Sequence, residues 1–168
     1  IAGVAGLDNG CCFTHAHNGW GGLVEAAGGV NIGSQLLPGA TGTVSVEKII
    51  SLNPDYYLMS GSKRPGKGTA VVPFGYNVDR KEVETAFNAL MARQGVSSIP
   101  AVVQGHTGAL YHHFYNNPYN IVAIETLSKI FYPDHFKDID PLADYHTIIK
   151  DFTHIPDDSI ILSYTPSH

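Results

Sequence analysis

The chain has 168 residues, a net charge of −5, 43% hydrophobic residues and only 15% charged ones. That length favours one domain with a real core, and the acidic balance argues against a nucleic-acid partner. No apolar run approaches the ~18–20 residues needed to cross a bilayer, and 18 glycines with 10 prolines describe a loop-rich globular domain rather than a disordered one.

Taken in order, Ile1–Leu7 is small and apolar and reads as a strand. It lacks the charged region and cleavage pattern of a signal peptide, so no leader is expected there. Asp8–Gly10 is turn chemistry, and Cys11–Phe13 reads as a second short strand. Adjacent cysteines bridge only through strained geometry, so Cys11 and Cys12 read as two small half-buried thiols. The loop THAHNGWGG leads into a short helix, Trp20–Ala27, ended by Gly28-Gly29. His15, His17 and Trp20 lie near the start of that helix, where free N–H groups and the dipole favour an anionic ligand group. The alternative is a packed indole with two solvated imidazoles.

Ile32–Thr43 reads as loop. Ser45 is a good N-cap with Glu47 in the first turn, and Val46, Ile49, Ile50 and Leu52 form a helical stripe stopped by Asn53-Pro54-Asp55. Tyr56–Met59 is a short buried strand. It runs into SGSKRPGKG, where Lys63, Arg64 and Lys67 fall within five residues although the chain has only 10 Lys plus Arg. Cations beyond the carboxyl end of a strand suit an anionic ligand, with a solvated loop as the alternative. Val71–Phe74 reads as extended and Gly75–Val78 as a turn. Asp79–Gln94 is a helix with a capping-box start and Gly95 as its stop. Ala101–Gln104 reads as a strand and Gly105–Gly108 as a turn.

A further strand, Gly108–Tyr111, runs into Tyr111–Asn120, YHHFYNNPYN. This uncharged aromatic and imidazole patch precedes a helix over Ile121–Tyr132, and α/β proteins place ligands at such strand-to-helix junctions. On a continuing strand, Tyr111 and His113 would share one face with His112 opposite. Pro133–Phe136 is a helical turn, Asp140-Pro141 opens a last helix to about Phe152, and Ile160–Ser163 is a short strand in an irregular tail. The 9 histidines are scattered and lack zinc spacing. The fold class is α/β, a mainly parallel central sheet flanked by helices in one domain over 1–168.

The order of these segments resembles a known family. SVEKIISLNPDYYLM (Ser45–Met59) is similar to the helix-N-P-D-strand signature of helical-backbone, class III, solute-binding proteins of ABC importers. LVEAAGGVNI (Leu23–Ile32) resembles that family's E-x-x-G-G-x-N segment, and Asp79–Gly108 its helix and I-P-A-V turn. Tyr111–Phe136 looks like the branch that carries iron complexes. The match covers about Leu23 to Phe152.

The resemblance implies a C-terminal lobe of a two-lobed protein, the N-terminal lobe and linking helix lying outside this sequence. It implies capture of an iron(III)-siderophore complex, with haem, cobalamin or a molybdate-type oxyanion as alternatives. No covalent chemistry or covalent cofactor is expected; a metal-dependent hydrolase using Asp8 and Asp55 is the competing class, without H-E-x-x-H, G-x-S-x-G or a P-loop to support it. The ligand-binding set is His15, His17, Trp20, Lys63, Arg64, Tyr111, His112, His113 and Tyr115, with Tyr111 and His113 as candidates for direct ligation, since phenolate and imidazole both suit iron. Glu25 falls at the family's permease-docking position. The expected partners are the transmembrane permease subunits, and the expected state is a monomer, periplasmic or lipid-anchored outside the cell.

Overall fold

The computed structural model describes residues 12–63, 71–156 and 159–166. The expectations for Ile1–Leu7, Asp8–Gly10, Cys11, Arg64 and Lys67 lie outside the described residues.

Strand β1 (Phe13–His15) leads into helix α1 (Trp20–Ala26), a single turn α2 (Gly33–Leu36) and strand β2 (Thr41–Thr43). β2 returns antiparallel to β1 in the register Phe13↔Thr43 and His15↔Thr41. The expected loop at 32–43 is therefore partly regular. α1 buries Trp20, Leu23 and Val24, the i, i+3, i+4 face of a helix, and Gly28 ends it with φ at 83°. Helix α3 (Val46–Leu52) starts where Ser45 Oγ accepts the Lys48 N–H, and stops at Asn53 in the left-handed region. Of its stripe Ile49 is buried, whereas Leu52 is exposed.

Strand β3 (Tyr57–Gly61) is buried at every residue. Lys63 N–H then bonds Phe74 O, and strand β4 (Gly75–Tyr76) follows where a turn was expected. Asp79 caps helix α4 (Arg80–Met91) by accepting the Lys81 N–H, and Gly95 stands at φ 84° beyond its end.

The predicted strand Ala101–Gln104 is instead helix α5 (Pro100–Val103). Pro100 sits at the first helical position, where its fixed φ suits a helix, and four apolar residues are too few to reveal a period. The strand lies further on, as β5 (Thr107–Tyr111), parallel to β3. The turn expected at Gly105–Gly108 is correspondingly shorter, because Thr107 and Gly108 already belong to β5. Helices α6 (Ile121–Phe131) and α7 (Pro141–Phe152) follow, the latter capped by Asp140. Strand β6 (Ile160–Ile161) pairs with β4, and β7 (Ser163–Tyr164) with β5.

The central sheet has the order β3-β5-β7, one parallel pair and one antiparallel edge. Alternation across it builds two cores. Tyr57, Met59 and Ala109 point to one face with Val83, Phe87 and Leu90 of α4. Leu58 and Leu110 point to the other, with Leu23 and Val24 of α1, Val122 and Leu127 of α6 and Ile149 of α7. The sheet is thus an inner layer between helices, the arrangement expected of α/β. Cys12 is buried with Sγ 3.5 Å from Tyr57 Oη, and it is disulfide-bonded rather than the packed thiol expected.

Candidate functional site

The last pair in the β3·β5 register is Gly61↔Tyr111. Both chains therefore leave the sheet at one edge, the carboxyl ends of two parallel strands. From β5 the chain tightens into a 3-10 turn, His112–Asn116. This corrects the expected strand alternation. His112 turns inward and is buried, its Nδ1 hydrogen-bonded to Ser60 Oγ of β3 at 2.9 Å. His113 points out to solvent, with Asn117 Nδ2 donating to its carbonyl at 2.7 Å. Tyr111 and His113 still meet, edge to face at 5.3 Å.

The rings continue sideways from there. His112 contacts Tyr115 at 5.1 Å, and Tyr115 contacts His15, at the end of β1, at 5.4 Å. The structure therefore joins five of the expected residues, His15, Tyr111, His112, His113 and Tyr115, in one patch. Burial holds the His15 imidazole below its ordinary pKa, which keeps its nitrogen lone pair available at neutral pH. Burial first, then Tyr119 and Tyr76, pushes the Tyr111 phenol up. Gly19, at φ 58°, permits the His15–Tyr115 contact; a Cβ there would stand 2.7 Å from His15 Nδ1.

Beside Tyr111 lies a second group. A Cβ on Gly75 would lie 3.7 Å from the Tyr111 ring, so β4 passes directly beside it. Tyr76 Oη is 2.8 Å from Tyr145 Oη of α7, and Tyr119 packs edge-on against Tyr145 at 5.4 Å. Lys63 Nζ donates to Asn77 O at 2.7 Å, one residue past Tyr76. Tyr76, Tyr119, Tyr145 and Ser60 were not singled out by sequence. Ser60 opens the loop just past a predicted strand and Tyr119 lies within YHHFYNNPYN, so both had a signal; Tyr76 and Tyr145 are 69 residues apart and had none.

Two expected site residues lie elsewhere. Trp20 is buried in the second core, packed as an α1 face residue, and is not a wall of the open edge. His17 does not join the rings; its Nδ1 lies 3.1 Å from Glu25 Oε1 on the surface of α1. The same carboxylate oxygen accepts the Ser34 hydroxyl at 2.8 Å. Asn31, buried, holds this corner: its amide donates to His15 O, Ala16 O and Ser34 Oγ, and its oxygen accepts the Gly33 N–H. A Cβ on Gly21 would collide with Ala16 O, so the close seat of α1 on this loop requires glycine there.

Phenols, imidazoles and an ammonium can hydrogen-bond, stack on a ligand or supply one or two metal ligands. Among the described residues no three His, Cys, Asp or Glu side chains converge to hold an ion by themselves.

No family model matches the chain, and no curated protein matches it. Solved structures do. The crystal structure of the TroA-like periplasmic binding protein FepB from Veillonella parvula aligns over 99% of this chain and 47% of its own, at a TM-score of 0.88 and 23% identity. This is the fold of one lobe of a class III periplasmic binding protein. A periplasmic solute binding protein from Veillonella parvula DSM 2008 aligns at a TM-score of 0.59 and 19% identity, over 86% of this chain and 41% of that one. CeuE of Helicobacter pylori, in a Ni-His complex, aligns at 0.55 and 17%, over 80% and 38%. The chain spans less than half the length of each of these binding proteins.

Proposed function

We propose that this chain is a ligand-facing lobe, the C-terminal one, of the substrate-binding component of an ABC importer, and that its cargo is an iron(III) complex of siderophore type. The observation that carries the reading is the ring patch His15–Tyr115–His112–His113–Tyr111 at the carboxyl edge of a binding-protein lobe. Ligands of open α/β sheets sit at this edge. A siderophore brings most of the iron shell with it, so the protein needs only aromatic surface and one or two oxygen or nitrogen donors. Exposed His113 and half-buried Tyr111 suit that role. Lys63 offsets negative charge on the complex, with Arg64 expected beside it.

Glu25 would dock on the permease, with His17 and Ser34 orienting its carboxylate. No described helix is long and apolar enough to cross a membrane, and the reading places the protein outside the cytoplasmic membrane, free in the periplasm or lipid-anchored, without enzymatic turnover. A Ni-His complex is the second cargo to consider, because CeuE was crystallised with one and this site is rich in imidazole.

The test is calorimetric titration of the full-length protein with ferric dicitrate, ferrioxamine B, a ferric tricatecholate, nickel–histidine, haem, cyanocobalamin and molybdate. Saturable binding of an iron complex, weakened in His113→Ala and Tyr111→Phe with the ligand recovered unchanged, supports the reading. Failure of every iron complex overturns the cargo, and binding of one of the other probes names its replacement. Glu25→Arg should impair import while leaving binding intact; loss of binding would remove Glu25 from the docking role.

A further inference from the structure

We propose that Tyr76, backed by Tyr145, and Lys63 form an oxyanion-recognising arm of this site, which selects complexes carrying carboxylate or phenolate oxygens at their periphery. The inference rests on the binding-protein reading above and adds the ligand feature that decides between cargoes.

The argument starts from two hydroxyls. Tyr145 and Tyr76 lie 2.8 Å apart at Oη, so one O–H donates to the other oxygen. Two hydroxyls carry two protons, and only one is used between them. Tyr145 is 2% exposed, enclosed by α7, Tyr119 and the second core, so its O–H is spent on Tyr76. Tyr76 is half-buried, and its own O–H is left to donate outward. Donation into an oxygen strengthens that group as a donor in turn. Burial and this hydrogen bond also push the Tyr145 phenol up, so it stays protonated.

Lys63 supplies the charge. It follows β3 past the edge, is exposed, and gives one of its N–H groups to Asn77 O. An ammonium has three donors, which leaves two beyond that bond. The bond ties Lys63 to the residue after Tyr76, and Gly75, the residue before Tyr76, packs beside the Tyr111 ring. A phenol donor and an ammonium donor thus belong to the segment that passes beside Tyr111. Hydrogen bonds from such groups to a charged oxygen are the strong kind. A neutral or cationic complex without peripheral oxyanions gains nothing from them.

The experiment compares ferric dicitrate, an anion bearing free carboxylate oxygens, with ferrioxamine B, a cation without them. Binding is measured by calorimetry on the full-length protein and on Tyr76→Phe, Lys63→Gln and Tyr145→Phe, with thermal midpoints recorded for each. The wild type should prefer ferric dicitrate. Tyr76→Phe and Lys63→Gln should each weaken it by roughly tenfold, the worth of one charged hydrogen bond, and leave ferrioxamine B within about twofold. Tyr145→Phe should produce a smaller loss in the same direction; if that buried change unfolds the chain, the two exposed-side variants still decide. Equal weakening of both probes, no weakening of either, or a wild type that prefers ferrioxamine B overturns the arm while leaving the binding reading intact. A wild type that binds no iron complex overturns both.

Discussion

The two ends of the β3·β5 pair differ in kind. At the carboxyl end, donors converge: His15, Tyr115, His113, Tyr111, Tyr76 and Lys63 come from four separate stretches of chain. At the amino end, Tyr56 stacks on His106 at 5.5 Å, and grooves of about 520 and 600 Å³ open on either side of it. The first is walled by Val24, Val30, Leu52, Phe131 and Tyr132, mostly at or just past the ends of α1, α3 and α6. Space there lies between the ends of helices and the turns that follow them. At the other end, parallel strands aim their last residues at a common point. Empty volume and chemical capability therefore have separate origins in this fold, and the chemistry is the better guide to a ligand.

The sharpest way to break the contrast is at the core beneath the carboxyl edge. Phe114 is fully buried and meets the Tyr111 ring at 5.6 Å. Phe114→Ala should cost about 3–5 kcal/mol in urea denaturation and weaken iron-complex binding with it. A loss under about 1 kcal/mol would mean that the patch does not stand on the second core. Next, His112→Phe strands the buried Ser60 hydroxyl and should cost about 1–3 kcal/mol. Binding should fall as the turn bearing His113 and Tyr115 loosens, and His112→Asn, which restores a polar atom near Nδ1, should recover part of it. Unchanged affinity would show that this turn does not set the site.

The amino edge provides the opposing control. Tyr132 Oη donates to Gly28 O at 2.7 Å beside the first groove. Tyr132→Phe should cost about 0.5–1.5 kcal/mol and leave the binding of every iron probe as it was; a drop in affinity would reverse the comparison between the edges. The smallest effect is a pH slope. Burial keeps His15 below 6.5 in the folded chain, so the unfolded chain takes up its proton first as pH falls through about 6.5. Stability should therefore decline with acidification and level off below the folded pKa. His15→Gln should flatten that decline in urea midpoints measured from about pH 8 to 5; an unchanged slope would place its origin elsewhere.

Most of the helices were legible because their ends carry specific chemistry: Ser45, Asp79 and Asp140 cap the helices they were expected to open, and Gly28 and Gly95 take the left-handed φ expected of stops. α5 was not, because Ala101–Gln104 is too short for its period to separate helix from strand. The placement of YHHFYNNPYN at a strand's carboxyl end was legible from the strand itself. What side each residue took was not. Past β5 the chain turns as a 3-10 helix that seats His112 on Ser60, 52 residues away, a contact with no local signature. The Tyr76–Tyr145 pair, like the Glu25–Ser34–His17 corner, is a product of tertiary contact and has no local signature.

Asn31 gives that corner a wider meaning. One carboxamide fixes the backbone at His15–Ala16 and, through Ser34, the carboxylate of Glu25. The ring patch and the acidic surface are therefore measured from the same datum, as two gauges bolted to one frame. Neither can drift without the other registering it, because the His15 backbone and the Glu25 carboxylate both hang on one side chain.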